Sequence, residues 1–145
     1  MPTLQPNIEF KHHILITHWR SPQLDNRLRF IILALAGFTF EEFGKPIKIT
    51  SIFRTQETQD AIYGGNEKYK KSPWKSLHQF WQAADISVYY FLAEEQKGIL
   101  NFLNNNIQYN EKQSHKTALI HNVGIGKHLH VQCGNDGYSK IIKLT

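Results

Sequence analysis

Histidine and aspartate side chains occur in two short stretches whose spacing is compatible with metal binding. In SLHQFWQAADISV, His78 precedes Asp85 by seven residues, at the point where a loop leads into a predicted strand. In KHLHVQ, His128 and His130 flank one residue of another predicted strand, so both imidazoles point to the same face. Two imidazoles and one carboxylate suit Zn²⁺ and leave its fourth position for water, which is typical of catalytic rather than structural sites.

These residues also have ordinary structural interpretations. Asp85 opens a strand and could accept hydrogen bonds from backbone amides there, and an HxH pair often occurs by chance. His121 lies in the apolar strand ALIHNV, where it could line a site or be a hydrogen-bonded core histidine, and the core histidine is the preferred interpretation. Cys133 is the single cysteine, which excludes both an intramolecular disulfide and a cysteine-based zinc cluster.

Interleaved helices and strands are predicted to position these residues in an α+β domain. The 145-residue chain is 41% hydrophobic, which is enough for a single core. Apolar residues at helical spacing predict a helix from a cap at Asp25 to a stop at Gly44. Strands are predicted over 47–53, 84–91, 117–123, 127–133 and 140–144, and further helices over 56–63 and 94–104. Residues 1–22 are predicted to be an irregular N-terminal segment, and residues 23–145 to form one domain with a small antiparallel sheet.

The charge of the chain is compatible with acidic partners but does not select among them. Lys and Arg number 17 against 12 Asp and Glu, a formal net charge of +5. Nucleic acid, anionic lipid and anionic wall polymers would all be attracted, and a merely soluble basic surface explains the excess equally well. The start of the chain has no apolar h-region, and the most apolar run, residues 30–40, is too short to span a bilayer. We therefore expect synthesis in the cytoplasm without a signal peptide, and no association with a membrane.

Three motifs, in order along the chain, resemble the M15 family of zinc peptidases. They are ITSIFRT at 49–55, SLHQFWQAAD at 76–85 and KHLHVQ at 127–132. The family signature is S-x-H-x-x-G-x-A-x-D, preceded by an S-x-[YF]-R strand end and followed by a histidine strand. The family contains D-alanyl-D-alanine carboxypeptidases and phage endolysins that cleave L-alanyl-D-glutamate bonds. The resemblance implies a fold like that of the Hedgehog signalling domain and the DD-peptidases.

The resemblance also implies a role for each matching residue. The zinc ligands would be His78, Asp85 and His130. Arg54 would face the site and hold a substrate carboxylate or carbonyl oxygen, for which its planar guanidinium is suited. The alternative for Arg54 is a surface ion pair with an acidic residue of the following helix. Ser76 would bind substrate, and His128 would assist catalysis beside the metal. Trp81 does not match the family, and its predicted role in substrate binding comes from its indole, which could stack on a sugar or peptide.

Two positions depart from the family pattern. Lys127 stands where many members carry an Asp or Glu as general base, so His128 or another group would have to handle the proton. Trp81 stands where the family has glycine, a residue that permits positive φ or close backbone approach. Trp81 therefore implies an altered loop or a new substrate wall, and packing in the core is the alternative.

The expected function is zinc-dependent hydrolysis of an amide bond in peptidoglycan peptides by a monomeric enzyme. Because no signal peptide is predicted, a phage or prophage lysis enzyme that reaches the wall through a holin fits better than a secreted carboxypeptidase. One alternative is a catalytically impaired descendant that keeps zinc and binds a peptide or wall polymer. Another is a nucleic-acid-binding module, which only the net charge and a lysine-rich loop favour.

Overall fold

The part of the chain that the structure describes contains five strands and three helices. The structure, a computed structural model, describes residues 6–53, 78, 81–109, 115–122 and 126–134. The strands are β1 (Ile8–Phe10), β2 (Ile47–Ser51), β3 (Ala83–Ser87), β4 (Ala118–Asn122) and β5 (Lys127–Gln132). The helices are α1 (Ile14–Arg20), α2 (Asn26–Phe43) and α3 (Ala93–Asn106). None of these three helices is long and apolar enough to cross a membrane.

The described strands form one mixed sheet in the order β1-β2-β3-β5-β4. β1 is parallel to β2, and every other neighbouring pair is antiparallel. The α+β class is confirmed, whereas the prediction of an antiparallel sheet is wrong at the β1 edge. The prediction that residues 1–22 are irregular is also wrong, because this segment contains β1 and α1. β1 has three residues and buries only Ile8, too short a stretch to show the alternation that identifies a strand.

Helix α2 supplies a large part of the apolar core. Asp25 caps it by accepting a hydrogen bond from the backbone N–H of Arg27, and Gly44 ends it in the left-handed conformation at φ 66°. Four of its apolar side chains have no exposed surface and pack with residues of β2, β3 and β5: Leu28, Ile31, Ile32 and Leu35. The predicted bounds of this helix are confirmed.

The strands that carry the candidate metal ligands have one apolar face and one polar face. Ala84 and Ile86 of β3 and Leu129 and Val131 of β5 belong to the hydrophobic core. Because side chains alternate along a strand, the intervening residues point to the other face. That polar face carries Asp85 and Ser87 of β3, His128, His130 and Gln132 of β5, and His121 of β4.

The predicted bounds of the remaining elements differ from the observed ones by a few residues. β3 ends at Ser87 rather than at residue 91, because the backbone N–H of Phe91 donates to the carbonyl of Val88 and the chain turns there. β2 ends at Ser51, next to an irregularity in its register with β3. β4, β5 and α3 match their predicted ranges to within two residues. The helix predicted over 56–63 and the strand predicted over 140–144 lie outside the described residues.

Candidate metal centre

Three imidazole nitrogens converge on one carboxylate oxygen on the polar face of the sheet. Oδ1 of Asp85 lies 3.2 Å from Nε2 of His78 and 3.1 Å from Nδ1 of His130. It lies 3.4 Å from Nε2 of His128. Asp85 and His78 are only 1% and 2% exposed. Donor atoms that are each about 2.0–2.1 Å from a tetrahedral zinc ion lie roughly 3.3 Å from one another, so this cluster could hold a metal ion.

Strand register positions three of these four residues. Asp85 of β3 stands directly across from His130 of β5, and His128 stands across from Ser87. The alternation of β5 places His128 and His130 on one face, as the HxH spacing predicts. His78 precedes β3 in the chain and reaches the same carboxylate from outside the strands. The structure thus brings together the predicted ligands His78, Asp85 and His130 and places His128 beside them.

Backbone carbonyls lie behind two of the imidazoles. Nδ1 of His78 donates to the carbonyl oxygen of Ile52 at 2.7 Å. Nδ1 of His128 donates to the carbonyl oxygen of Gly126 at 3.2 Å. A carbonyl oxygen only accepts, so each neutral ring carries its proton on Nδ1 and directs the lone pair of Nε2 towards Asp85.

Gln132 orients the third imidazole. Its Oε1 accepts a hydrogen bond from Nε2 of His130 at 2.9 Å, and its own Nε2 donates to the carbonyl oxygen of Lys116 at 2.8 Å. Because the amide nitrogen must face Lys116, the amide oxygen must face His130. The neutral His130 ring therefore keeps Nδ1 free of a proton on the side of Asp85. Hydrogen bonds of this kind, behind the ligands, are the usual means by which proteins orient metal-binding histidines.

The charges in the cluster favour a bound cation. Burial alone would raise the pKa of Asp85, but the charge of His78 and hydrogen bonds from His128 and His130 hold this pKa well below its usual range. The carboxylate is therefore ionised at neutral pH. Those contacts need a proton on the imidazole atoms that face Asp85. A divalent cation would replace these protons, held by the ionised oxygen and by the lone pairs of the neutral rings. Nitrogen and oxygen donors of this type suit zinc and other divalent first-row metals.

His121 of β4 belongs to the same cluster, so its interpretation as a core histidine is wrong. It is only partly buried and stands across from His128, with the two ring centroids 4.6 Å apart. Burial, together with the charges of His130 and His128, lowers the pKa of His121 to about 4. The ring is therefore neutral at physiological pH. Strand alternation places His121 on one face of β4, and this was the signal available in the sequence. Its pairing with His128 depends on the register between β4 and β5, which the sequence does not give.

A basic pocket of about 310 Å³ opens on the polar face beside the cluster. It is lined by Lys11, Lys48, Thr50, Ser87, Tyr89 and Tyr90. Ser87 is two residues from Asp85 on β3 and stands across from His128, so the pocket adjoins the cluster. Two ammonium groups and the neighbouring hydroxyls are the donors that a carboxylate or another anionic group would need.

The chain was compared with protein-family models, with curated proteins and with solved structures. None of the three comparisons gave a match. The likeness to the M15 peptidases therefore depends on the three sequence motifs, and the Hedgehog/DD-peptidase-like fold stays a prediction within the confirmed α+β class.

Trp81 has the backbone conformation that a glycine at this position would favour. Its φ is 62°, and its carbonyl oxygen accepts a hydrogen bond from the backbone N–H of Asp25 at 3.1 Å. The indole stacks on Phe53, with ring centroids 4.5 Å apart and planes 2° apart, and meets the edge of His18 at 5.5 Å. Left-handed φ costs a bulky residue roughly 1–2 kcal/mol, which these contacts offset. Trp81 packs against the core, in line with the alternative interpretation, and its substrate-binding role stays a prediction.

Two other predicted site residues cannot be placed relative to the cluster. Arg54 and Ser76 lie outside the described residues, so their predicted roles in substrate binding stay predictions. Lys127 is exposed at the start of β5. Its neighbour His128 is 6% exposed and lies within the cluster.

Proposed function

We propose that this protein is a zinc-dependent peptidase that hydrolyses an amide bond in bacterial cell-wall peptides. The observation that carries the proposal is the convergence of three oriented imidazoles on the buried carboxylate of Asp85. His78, Asp85 and His130 would hold the metal, which, when bound, polarises the scissile carbonyl and lowers the pKa of water. Three protein ligands are the number that catalytic zinc sites use.

His128 is the residue to which we assign proton transfer. Its Nδ1 donates to the carbonyl oxygen of Gly126, so Nε2 is the basic atom, and it lies 3.4 Å from Oδ1 of Asp85. A neutral imidazole beside the ligands can accept a proton and later donate it to the leaving amine. His128 would thus take the place of the acidic base that Lys127 does not supply.

The adjoining pocket supports an anionic substrate. Lys11 and Lys48 place two positive charges next to Ser87, on the face that carries the cluster. Cell-wall peptides carry free carboxylates, which ammonium groups bind through charge-assisted hydrogen bonds. The three M15-like motifs point to the same substrate class, and a phage or prophage lysis enzyme is the biological setting that we propose.

Mass spectrometry of purified peptidoglycan, incubated with the zinc-loaded protein, tests the proposal. We expect new peptide termini that are lost after chelation and in His78→Ala, and that persist in His12→Ala, which removes an exposed histidine outside the cluster. The mass of each fragment would also identify the bond.

Bound zinc without cleavage would overturn the peptidase proposal. It would favour a second candidate, a domain that keeps the metal but only binds wall peptides. Lys127 and the left-handed backbone of Trp81 are the features that support this candidate. Salt-sensitive DNA binding that survives chelation and His78→Ala would instead favour the nucleic-acid-binding alternative.

A further inference from the structure

The histidines of the cluster form two pairs around Asp85. The donor atoms of His78, Asp85 and His130 all lie within 4.8 Å of one another. The donor atoms of Asp85, His121 and His128 satisfy the same limit. Asp85 is the member that the two sets share, and each set contains two imidazoles and one carboxylate.

The second set is built by strand pairing in the same way as the first. His121 of β4 and His128 of β5 are directly paired, just as Asp85 of β3 and His130 of β5 are. The ring of His121 lies 4.6 Å from that of His128 and 5.2 Å from that of His130. The carbonyl oxygen of Gly126 holds Nδ1 of His128, so that Nε2 is directed towards Asp85. His128 is thus oriented as a ligand is.

One carboxylate is able to serve both sets. An ionised carboxylate has two oxygens and about four lone-pair positions, so it can bridge two cations. In two-metal hydrolases the ions are about 3.5–4 Å apart, a distance that fits two donor sets sharing one carboxylate. A single ion on the first set would use His78 and His130 and leave two further imidazoles beside the same carboxylate.

We propose that Asp85 bridges two divalent cations, the first held by His78 and His130 and the second by His121 and His128. Each set contains one partly buried histidine, His130 in the first and His121 in the second. This inference rests on the proposed function, since both require a metal at Asp85. It departs from that function at His128, whose Nε2 would be a ligand of the second cation rather than the proton-transfer group when that cation is bound.

Metal stoichiometry tests the second position. The full-length protein is dialysed against Zn²⁺, and its metal content is measured by mass spectrometry. We expect two equivalents in the wild type, one in His121→Ala and two in His115→Ala, which removes an exposed histidine outside the cluster. Circular dichroism checks that each variant is folded, and the partly buried position of His121 on the polar face makes alanine tolerable there.

Mn²⁺ electron paramagnetic resonance of the wild type provides an independent measurement. Two Mn²⁺ ions that share a carboxylate are magnetically coupled, so the spectrum changes from that of an isolated ion when the second equivalent binds. One equivalent in the wild type, unchanged in His121→Ala, would overturn the bridged pair and leave the proposed function intact. Two equivalents that persist in His121→Ala, or two uncoupled ions, would also overturn it. Absence of bound metal would refute both proposals.

Discussion

Replacement of Gln132 with leucine tests whether the orientation of a histidine, and not only its presence, makes the metal centre. Gln132→Leu removes the oxygen that accepts from Nε2 of His130 at 2.9 Å, and also the donor to the carbonyl oxygen of Lys116. His130 keeps its place across from Asp85, because the register of β3 and β5 does not depend on that side chain. The variant therefore changes how the ligand is held without removing the ligand.

The expected loss of metal affinity is large, while the loss of stability is small. Removal of a partner that orients a ligand weakens metal binding about 10- to 100-fold, or about 1.4–2.8 kcal/mol of binding free energy. Lys116 is exposed, so water can replace the lost amide donor at its carbonyl oxygen. We expect the free energy of unfolding of the metal-free variant to lie within about 1 kcal/mol of that of the wild type.

Competition with a chromophoric chelator at constant pH measures the affinity. Gln132→Glu also loses the donor to the carbonyl oxygen of Lys116 but keeps an oxygen acceptor for His130, so it should bind the metal more tightly than Gln132→Leu. Gln96→Leu is the matched control, because Gln96 donates to the carbonyl oxygen of Phe91 at 3.0 Å and is not part of the cluster. Unchanged affinity in Gln132→Leu, or equal losses in the leucine and glutamate variants, would refute the reasoning.

Four further predictions follow from features around the cluster. Trp81→Gly should be more stable than Trp81→Ala by roughly 1 kcal/mol in urea unfolding, because both lose the stacking and only glycine relieves the left-handed φ; equal stabilities would contradict this. Lys48→Glu should raise KM for acidic wall peptides more than it lowers kcat, and a change confined to kcat would exclude a binding role for the pocket. Burial raises the pKa of the Cys133 thiol to about 12, so a thiol reagent should react near neutral pH only after denaturant is added; rapid reaction of the folded protein would disprove it. Acidification should weaken metal binding, because histidines must be neutral to bind a metal and Asp85 stays ionised, with its pKa held well below the usual range. A metal affinity that does not change with pH in chelator competition would count against histidine ligation.

The parts of the site that follow from local rules were predictable. Strand alternation alone places His128 and His130 on one face, and a capping aspartate and a terminal glycine define helix α2. Local rules alone do not predict Asp85 as a metal ligand, because an aspartate at the start of a strand has several ordinary structural roles. It was the resemblance of the surrounding motif to zinc peptidases that singled it out.

The missed features depend on contacts between distant segments. His121 becomes part of the cluster through its pairing with His128 across two strands, which no local pattern specifies. The parallel edge is carried by β1, whose three residues are too few for a periodic signal. The carbonyl oxygens of Ile52 and Gly126 orient two imidazoles, and a backbone oxygen is present at every position, so its identity as a partner cannot be read from residue type.

The three groups behind the imidazoles imply different evolutionary constraints. Position 52 contributes only a main-chain oxygen, so any apolar residue that fits its fully buried place can serve. Position 126 also contributes a main-chain oxygen, but its φ of 107° restricts it to glycine. Position 132 contributes a side-chain oxygen, so glutamate is its conservative replacement and apolar residues are excluded. Among relatives of this chain, substitutions should therefore be frequent at 52, rare at 126, and at 132 limited to side chains that accept a hydrogen bond.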